Sequence, residues 1–136
     1  MPKIFGLKII GLLATSVAFF VLGWLWYGVL FMEKWATLMG IDTSTGEAPT
    51  LMPMLYGFLN VVVVSFGIGL LLKWLRITTI ASAVKYGLIT AVCFSLTTEA
   101  YGPIYGGTPI ELLYINGAYN LIGYSLIAAI WSFFIE

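Results

Sequence analysis

The sequence predicts an all-α fold: a bundle of four transmembrane helices in a polytopic membrane protein. The bundle forms one domain over residues 1–136. Hydrophobic residues make up 61% of the chain and charged residues only 9%, whereas soluble domains carry about 25% charged residues. The mean hydropathy is +1.03. Six basic and six acidic side chains are too few to coat a soluble globule of this size. They are enough to cap the ends of helices that lipid surrounds.

The gaps between charged residues delimit three of the four helices. Uncharged runs of 24, 25 and 24 residues separate, in turn, Lys8 from Glu33, Glu47 from Lys73, and Glu111 from Glu136. Each run exceeds the ~20 residues that cross ~30 Å of hydrocarbon as a helix. We therefore place helix 1 at about 9–31, helix 2 at about 52–72 and helix 4 at about 112–134.

Helix 3 is less regular because a lysine interrupts it. Arg76 and Glu99 bracket 22 residues, and Lys85 lies among them. A lysine stem can extend several ångströms toward the membrane interface, so the span closes with Lys85 at one end and Glu99 at the other. We place helix 3 at about 79–99. These two residues are then interpreted as the ends of a span, while a functional role for an intramembrane charge stays open.

Basic residues predict the orientation of the bundle. Five of the six lie on one side, and they are Lys3, Lys8, Lys73, Arg76 and Lys85; only Lys34 lies on the other. The positive-inside rule then puts both termini on the cytoplasmic side of the inner membrane. The opposite connections, at about Gly40–Leu51 and Tyr101–Pro109, are rich in turn-forming residues and are predicted to be loops.

Small residues predict where the helices pack, because close backbone approach favours helix association in lipid. Three stripes share this character: Ala83, Gly87, Ala91 and Ser95 on helix 3; Gly57, Asn60, Val64 and Gly67 on helix 2; Asn116, Asn120 and Gly123 on helix 4. Each stripe is expected to face the interior of the bundle.

Polar residues inside the spans are the candidate functional positions: Asn60, Lys85, Thr90, Glu99, Asn116 and Asn120. Counting residues places Asn60 and Asn120 ~12 Å from the same membrane boundary, with Thr90 at a similar depth. An amide in hydrocarbon needs a partner, so we expect the two asparagines to meet or to share a water. One interpretation is interhelical stabilisation worth ~0.6–2 kcal/mol. The other is a role in conduction or ligand binding.

Aromatic residues crowd one end of helix 1, where Trp24, Trp26 and Tyr27 precede Trp35. Indole and phenol rings anchor helices at the headgroup level. Trp74 and Trp131 are predicted to do the same at the other interface. The alternative for the first group is an aromatic mouth for a lipid tail or an apolar solute.

This motif also carries a family resemblance. The run from Gly23 to Phe31 (GWLWYGVLF), followed by Lys34-Trp35 and by Leu38-Met39-Gly40, resembles the opening motif of the domain-of-unknown-function 1761 family of small bacterial membrane proteins. The run from Leu113 to Tyr119 (LYINGAY) is similar to the last-helix pattern of that family, with Asn120 where many members carry histidine. The resemblance implies a fold and a membrane location.

Composition also narrows the function. The chain has no histidine and one cysteine, Cys93, which removes the commonest general base and any internal disulfide. We therefore expect no catalytic centre, no metal site, no cofactor and no nucleic-acid partner. The leading hypothesis is a structural or accessory membrane subunit whose partners are the lipid bilayer and a homo-oligomer or larger membrane complex. The alternative is a small-solute, lipid or ion transporter or channel that uses the midplane polar cluster.

Overall fold

A computed structural model describes residues 2–40 and 51–136 of the chain. Within these residues, four helices are long and apolar enough to cross a membrane: span 1 (Ile9–Leu30), span 2 (Leu51–Trp74), span 3 (Ile80–Tyr105) and span 4 (Ile110–Trp131). The predicted all-α, four-helix fold is confirmed. The predicted loop between Gly40 and Leu51 lies outside the described residues.

Spans 1 and 3 are not uniform helices. Span 1 is α-helical over Ile9–Leu25 and then forms a π-helical segment, Trp26–Leu30. A short helix, Met32–Met39, follows it and ends at Gly40, whose φ of 73° suits a glycine. Wider π turns inside α-helices are rare and occur often at functional sites.

Span 3 is α-helical over Ile80–Thr90, π-helical over Ala91–Leu96, and α-helical again over Thr97–Glu99 and Tyr101–Tyr105. The predicted end near residue 99 coincides with the end of the segment Thr97–Glu99, but the helical path continues to Tyr105. The predicted loop therefore shrinks to 106–109. The turn-forming composition misled because Pro103 lies in the first turn of a helical segment, where a missing N–H is tolerated. Ala100 keeps right-handed helical dihedrals and joins the segments.

Span 4 contacts each of the other three spans, so it forms the centre of the bundle. Its contact with span 3 uses the predicted small-residue stripe. Ala83, Gly87 and Ala91 are buried. A Cβ on Gly87 would lie 2.8 Å from the carbonyl oxygen of Tyr124 and 3.0 Å from the Cβ of Ala128. These two helices therefore approach at backbone distance, as small residues permit in lipid.

The predicted packing face of span 2 is wrong for its two glycines, whereas Asn60 and Val64 on it do line a space between the spans. Gly57 and Gly67 are exposed, and a Cβ on either would meet nothing within 4 Å. Span 2 instead buries Ser65 and Gly69 against Trp131 of span 4, whose Nε1–H donates to the Ser65 carbonyl at 2.8 Å. Trp131 is 0% exposed, so it belongs to the core rather than to an interfacial belt. The bulk of its indole decides which face of span 2 turns inward.

A small hairpin lies at the end of the bundle that carries the Lys73–Thr79 connection, here called the basic end. Lys3–Ile4 pairs antiparallel with Leu7–Lys8. Phe5 and Gly6 between them have φ of 51° and 81°, the positive values that a tight hairpin turn requires. Leu7 is 1% exposed and joins the hydrophobic core. Glu136 accepts from Lys8 Nζ at 3.0 Å and from Lys3 Nζ at 3.4 Å, which ties the hairpin to the last residues of the chain.

Candidate functional site: a carboxyl group beside a polar cavity

A cavity of about 350 Å³ lies between the spans, and we call it the polar cavity. All four spans contribute to it. Its wall consists of polar, aromatic and aliphatic side chains: Phe19, Tyr27, Asn60, Val61, Val64, Ser95, Glu99, Tyr119, Asn120 and Tyr124. Apart from the tyrosine hydroxyls, the carboxyl group of Glu99 is the only ionisable group among the described residues of this wall. The polar cavity is thus built around a single potential negative charge.

Glu99 lies inside span 3 and not at its end. It stands six residues before Tyr105, which corresponds to ~9 Å along a helix. Glu99 lines the polar cavity as well as standing near the end of the span, and its functional role stays a prediction. The π-helical segment Ala91–Leu96 lies one turn earlier, and its wider turns alter the direction in which the following side chains point.

The two oxygens of the Glu99 carboxyl differ in their partners. Asn120 Nδ2 donates to Oε1 at 2.7 Å. Oε2 is buried and has no hydrogen-bond partner among the described residues. A buried acceptor without a donor costs about 1–3 kcal/mol, and more when it is charged. A donor from the polar cavity would recover that free energy, provided that the neighbouring side chains move enough to expose Oε2.

Asn60 and Asn120 both line the polar cavity, at ~14 Å and ~15 Å from the starts of their spans at 1.5 Å per residue. The expectation that they share one interior site agrees with this placement. The two amides form no direct hydrogen bond with each other, and Asn120 bonds to Glu99 instead. No hydrogen bond joins Asn60 to another described residue, and its side chain is exposed. Its amide is therefore available to a molecule in the cavity.

Aromatic rings form one wall of the polar cavity. Phe19 and Tyr119 stack with their centroids 4.9 Å apart. Tyr27 meets Tyr119 edge-on at 5.1 Å, and Tyr124 meets Phe19 edge-on at 6.1 Å. Tyr27 is fixed by its hydroxyl, which donates to Asn116 Oδ1 at 2.6 Å. Asn116 therefore positions a wall residue and does not itself line the cavity.

The aromatic motif of span 1 divides between two surroundings. Trp24 is 60% exposed, as an anchor in the headgroup region would be. Trp26 instead packs on span 4 and donates from Nε1 to the Ile115 carbonyl at 3.0 Å. Trp35 meets Tyr27 edge-on at 5.6 Å. Trp26 and Tyr27 therefore also pack on span 4, which anchoring alone does not require.

Lys85 and Thr90 contribute less to the polar cavity than the sequence suggested. Lys85 is exposed, does not line the polar cavity, and lies with Nζ 6.0 Å from the ring centroid of the adjacent Tyr86. Thr90 donates to the Tyr86 carbonyl at 2.8 Å, within its own helix. It lines a neighbouring cavity of about 330 Å³ that also includes Glu99. Of these two residues, only Thr90 approaches the carboxyl site.

Sequence reasoning missed Tyr119 and Tyr124 as wall residues. A signal was present, since Asn116, Tyr119, Asn120, Gly123 and Tyr124 follow the i, i+3, i+4, i+7, i+8 pattern of one helix face. Gly123 on this face approaches the ring of Phe19. Glu99 also had a signal, because it continues the stripe of span 3 at a spacing of four.

Comparison with known proteins places the chain in a family without giving it a function. The family model described as "Protein of unknown function (DUF1761)" matches residues 10–132. No curated protein and no solved structure matched the chain. The matched region contains all four spans except the first residue of span 1, and it leaves out the strands of the N-terminal hairpin. This multi-pass membrane protein therefore belongs to the DUF1761 family, as its aromatic motif and its last helix indicated.

Proposed function

We propose that this protein binds a small cationic, hydrogen-bond-donating solute in the polar cavity and carries it across the membrane. The observation that supports this most is the unpartnered, buried Oε2 of Glu99 beside a cavity of about 350 Å³. An intramembrane carboxyl group is costly and is a functional candidate by default. The buried hydroxyls of Ser16 and Ser65 also have no hydrogen-bond partner among the described residues, but Glu99 alone of the three lines the polar cavity.

The composition of the cavity wall favours a cation. Glu99 can supply the negative charge, and the amide oxygens of Asn60 and Asn120 supply further acceptors. No lysine or arginine lines the cavity among the described residues. A guanidinium or ammonium group matches this set, and a planar guanidinium can donate two parallel bonds to one carboxylate.

We also propose an orientation for the bundle and the membrane in which it lies. Lys3, Lys8 and Lys73 gather at the basic end, where Lys73 Nζ also donates to the Phe5 carbonyl at 3.2 Å. By the positive-inside rule the basic end faces the cytoplasm, with both termini there, in a bacterial inner membrane. The proposal includes no catalytic step.

Uptake of guanidinium into vesicles tests the function. Guanidinium stays charged over the working pH range, so leakage of a neutral form does not obscure the result. Vesicles of phosphatidylethanolamine and phosphatidylglycerol that contain the purified protein should take up labelled guanidinium in a saturable manner, above protein-free vesicles. Glu99→Gln should reduce the uptake about 10–100-fold, because a hydrogen bond to a charged group contributes about 1.5–3 kcal/mol.

The matched control is Glu111→Gln. Glu111 is also a carboxyl residue, near the start of span 4, but it is exposed and does not line the polar cavity. Uptake by this variant should equal that of the wild type. Uptake no greater than in protein-free vesicles, or equal uptake by Glu99→Gln and the wild type, would contradict the proposal.

An accessory subunit remains the second candidate, and a separate surface favours it. An apolar groove of about 540 Å³ runs along the junction of spans 3 and 4; its lining residues are Val92, Leu96, Thr97, Ala100, Leu113, Tyr114, Gly117, Ala118 and Leu121. A helix of another subunit or of a second copy would bury this surface. The mass of the particle in lipid nanodiscs, after subtraction of lipid and scaffold, distinguishes a 14.9 kDa monomer from an oligomer.

A further inference from the structure

A second groove adjoins the polar cavity on the side of spans 1 and 2, and we call it the tail groove. Its volume is about 490 Å³, and its wall is apolar and aromatic: Phe20, Gly23, Trp24, Tyr27, Gly28, Trp35, Pro53, Met54, Gly57, Val61 and Tyr119. Three of these residues, Tyr27, Val61 and Tyr119, also line the polar cavity. The two spaces therefore adjoin each other at these three side chains.

The tail groove and the polar cavity succeed each other along span 2. Asn60 lines the polar cavity and Met54 lines the tail groove, six residues away, or ~9 Å along a helix. The tail groove lies nearer the end of the bundle opposite the basic end. Trp24 and Met54 in its wall are 60% and 43% exposed. The apolar wall is thus accessible from the surface of the bundle that lipid covers.

We infer that the ligand is an amphiphile, with a cationic head at Glu99 and an alkyl chain of a few carbons in the tail groove. This inference rests on the proposed function and specifies its substrate class. A small polar cation would use only the polar cavity and would leave the apolar wall in contact with lipid. An alkyl chain attached to that cation gains the free energy of apolar burial, which corresponds to roughly a fourfold gain in affinity per buried methylene.

A series of n-alkylguanidinium ions from methyl to hexyl tests the inference. Each ion competes with labelled guanidinium for the protein in nanodiscs. Partition of the ion into the lipid is measured separately on empty nanodiscs and subtracted. In the wild type, the affinity should rise roughly fourfold for each added methylene until the groove is filled.

Two glycines of span 2 supply matched variants. Gly57 lines the tail groove, and a Cβ there meets nothing within 4 Å. Gly57→Leu should therefore place a side chain in the groove without disturbing the helix packing. Gly67 lies on the same helix and is equally unobstructed, but it does not line the groove. Gly67→Leu controls for the change in helix propensity and in lipid contact. Met54→Ala supplies a second variant, since it removes apolar wall and should lower the affinity for hexylguanidinium.

Each outcome decides a distinct point. A rising series in the wild type and in Gly67→Leu, with a flat series in Gly57→Leu, supports the inference. A series that is flat in the wild type, or equally steep in Gly57→Leu, overturns the inference while guanidinium binding still supports the proposed function. Failure of every ion to compete, together with absent guanidinium binding, overturns both.

Discussion

The contact between spans 3 and 4 depends on the absence of a side chain at Gly87, and a single methyl group tests this. The Cβ of Gly87→Ala would stand 2.8 Å from the carbonyl oxygen of Tyr124 and 3.0 Å from the Cβ of Ala128. The first neighbour is backbone and cannot rotate away. The two helices must therefore move apart by a few tenths of an ångström, and overpacking of this kind costs about 1–3 kcal/mol.

Gly67→Ala is the control for this substitution. It makes the same change in a helix interior, but its Cβ meets nothing within 4 Å. Both variants gain helix propensity of about 1 kcal/mol, so the difference between them isolates the contact. We expect Gly87→Ala to unfold about 1–3 kcal/mol more easily than Gly67→Ala, as measured by SDS titration in mixed micelles with circular dichroism. Equal free energies of unfolding would refute the close approach of the helices.

Two other contacts yield predictions of a similar kind. Trp131→Phe removes the donor to the span 2 carbonyl and part of a fully buried ring, so it should lower the free energy of unfolding by about 2 kcal/mol. Trp74→Phe, at a ring that is 70% exposed, should change it by less than about 0.5 kcal/mol; equal effects in the same titration would contradict the burial. At the basic end, the hydrogen bond from Lys8 and the charge of Lys3 hold the pKa of the Glu136 carboxyl below its ordinary value of 4.5. Because this pKa is lower in the folded state, the ionised carboxyl stabilises the hairpin at pH values above 4.5. This stabilisation is lost as the pH falls through the lowered pKa. Amide-exchange protection of the hairpin, corrected for intrinsic rates, should fall at acidic pH in the wild type and stay constant in Glu136→Gln; a pH response in the variant would assign the effect to another group.

The hydrophobic length of a span can be read from sequence, because lipid imposes it on every helix alike. The uncharged run after Lys8 corresponds to span 1 (Ile9–Leu30), as the thickness of a bilayer requires. The end of span 3 could not be read in this way. A charge that caps a helix and a charge that faces an internal cavity interrupt a hydrophobic run identically. Glu99 is of the second kind, and apart from its spacing of four on the stripe of span 3, it is the Asn120 partner that reveals this.

Helix rotation was predictable where the small residues were unambiguous and failed where they were not. Span 3 has one stripe, and Gly87 on it meets span 4. Span 2 offers several glycines on different faces, so composition alone does not choose among them. The choice is made by Trp131, from a helix that follows much later in the chain, whose indole needs the space beside Gly69. Such a long-range requirement leaves no local trace in the sequence of span 2.

The π-helical segment of span 3 connects the packing stripe to the carboxyl site. Residues spaced by four drift about 40° per step around a regular helix, so a stripe that begins at Ala83 would leave the interface before it reached Glu99. Each residue of the wider π turn advances by less than in an α turn, and the segment Ala91–Leu96 therefore offsets part of that drift. Glu99 consequently stays on the side of span 4, within 2.7 Å of the Asn120 amide. The inward carboxyl group thus has two consequences, since it joins spans 3 and 4 through Asn120 and it lines the polar cavity of the proposed solute site.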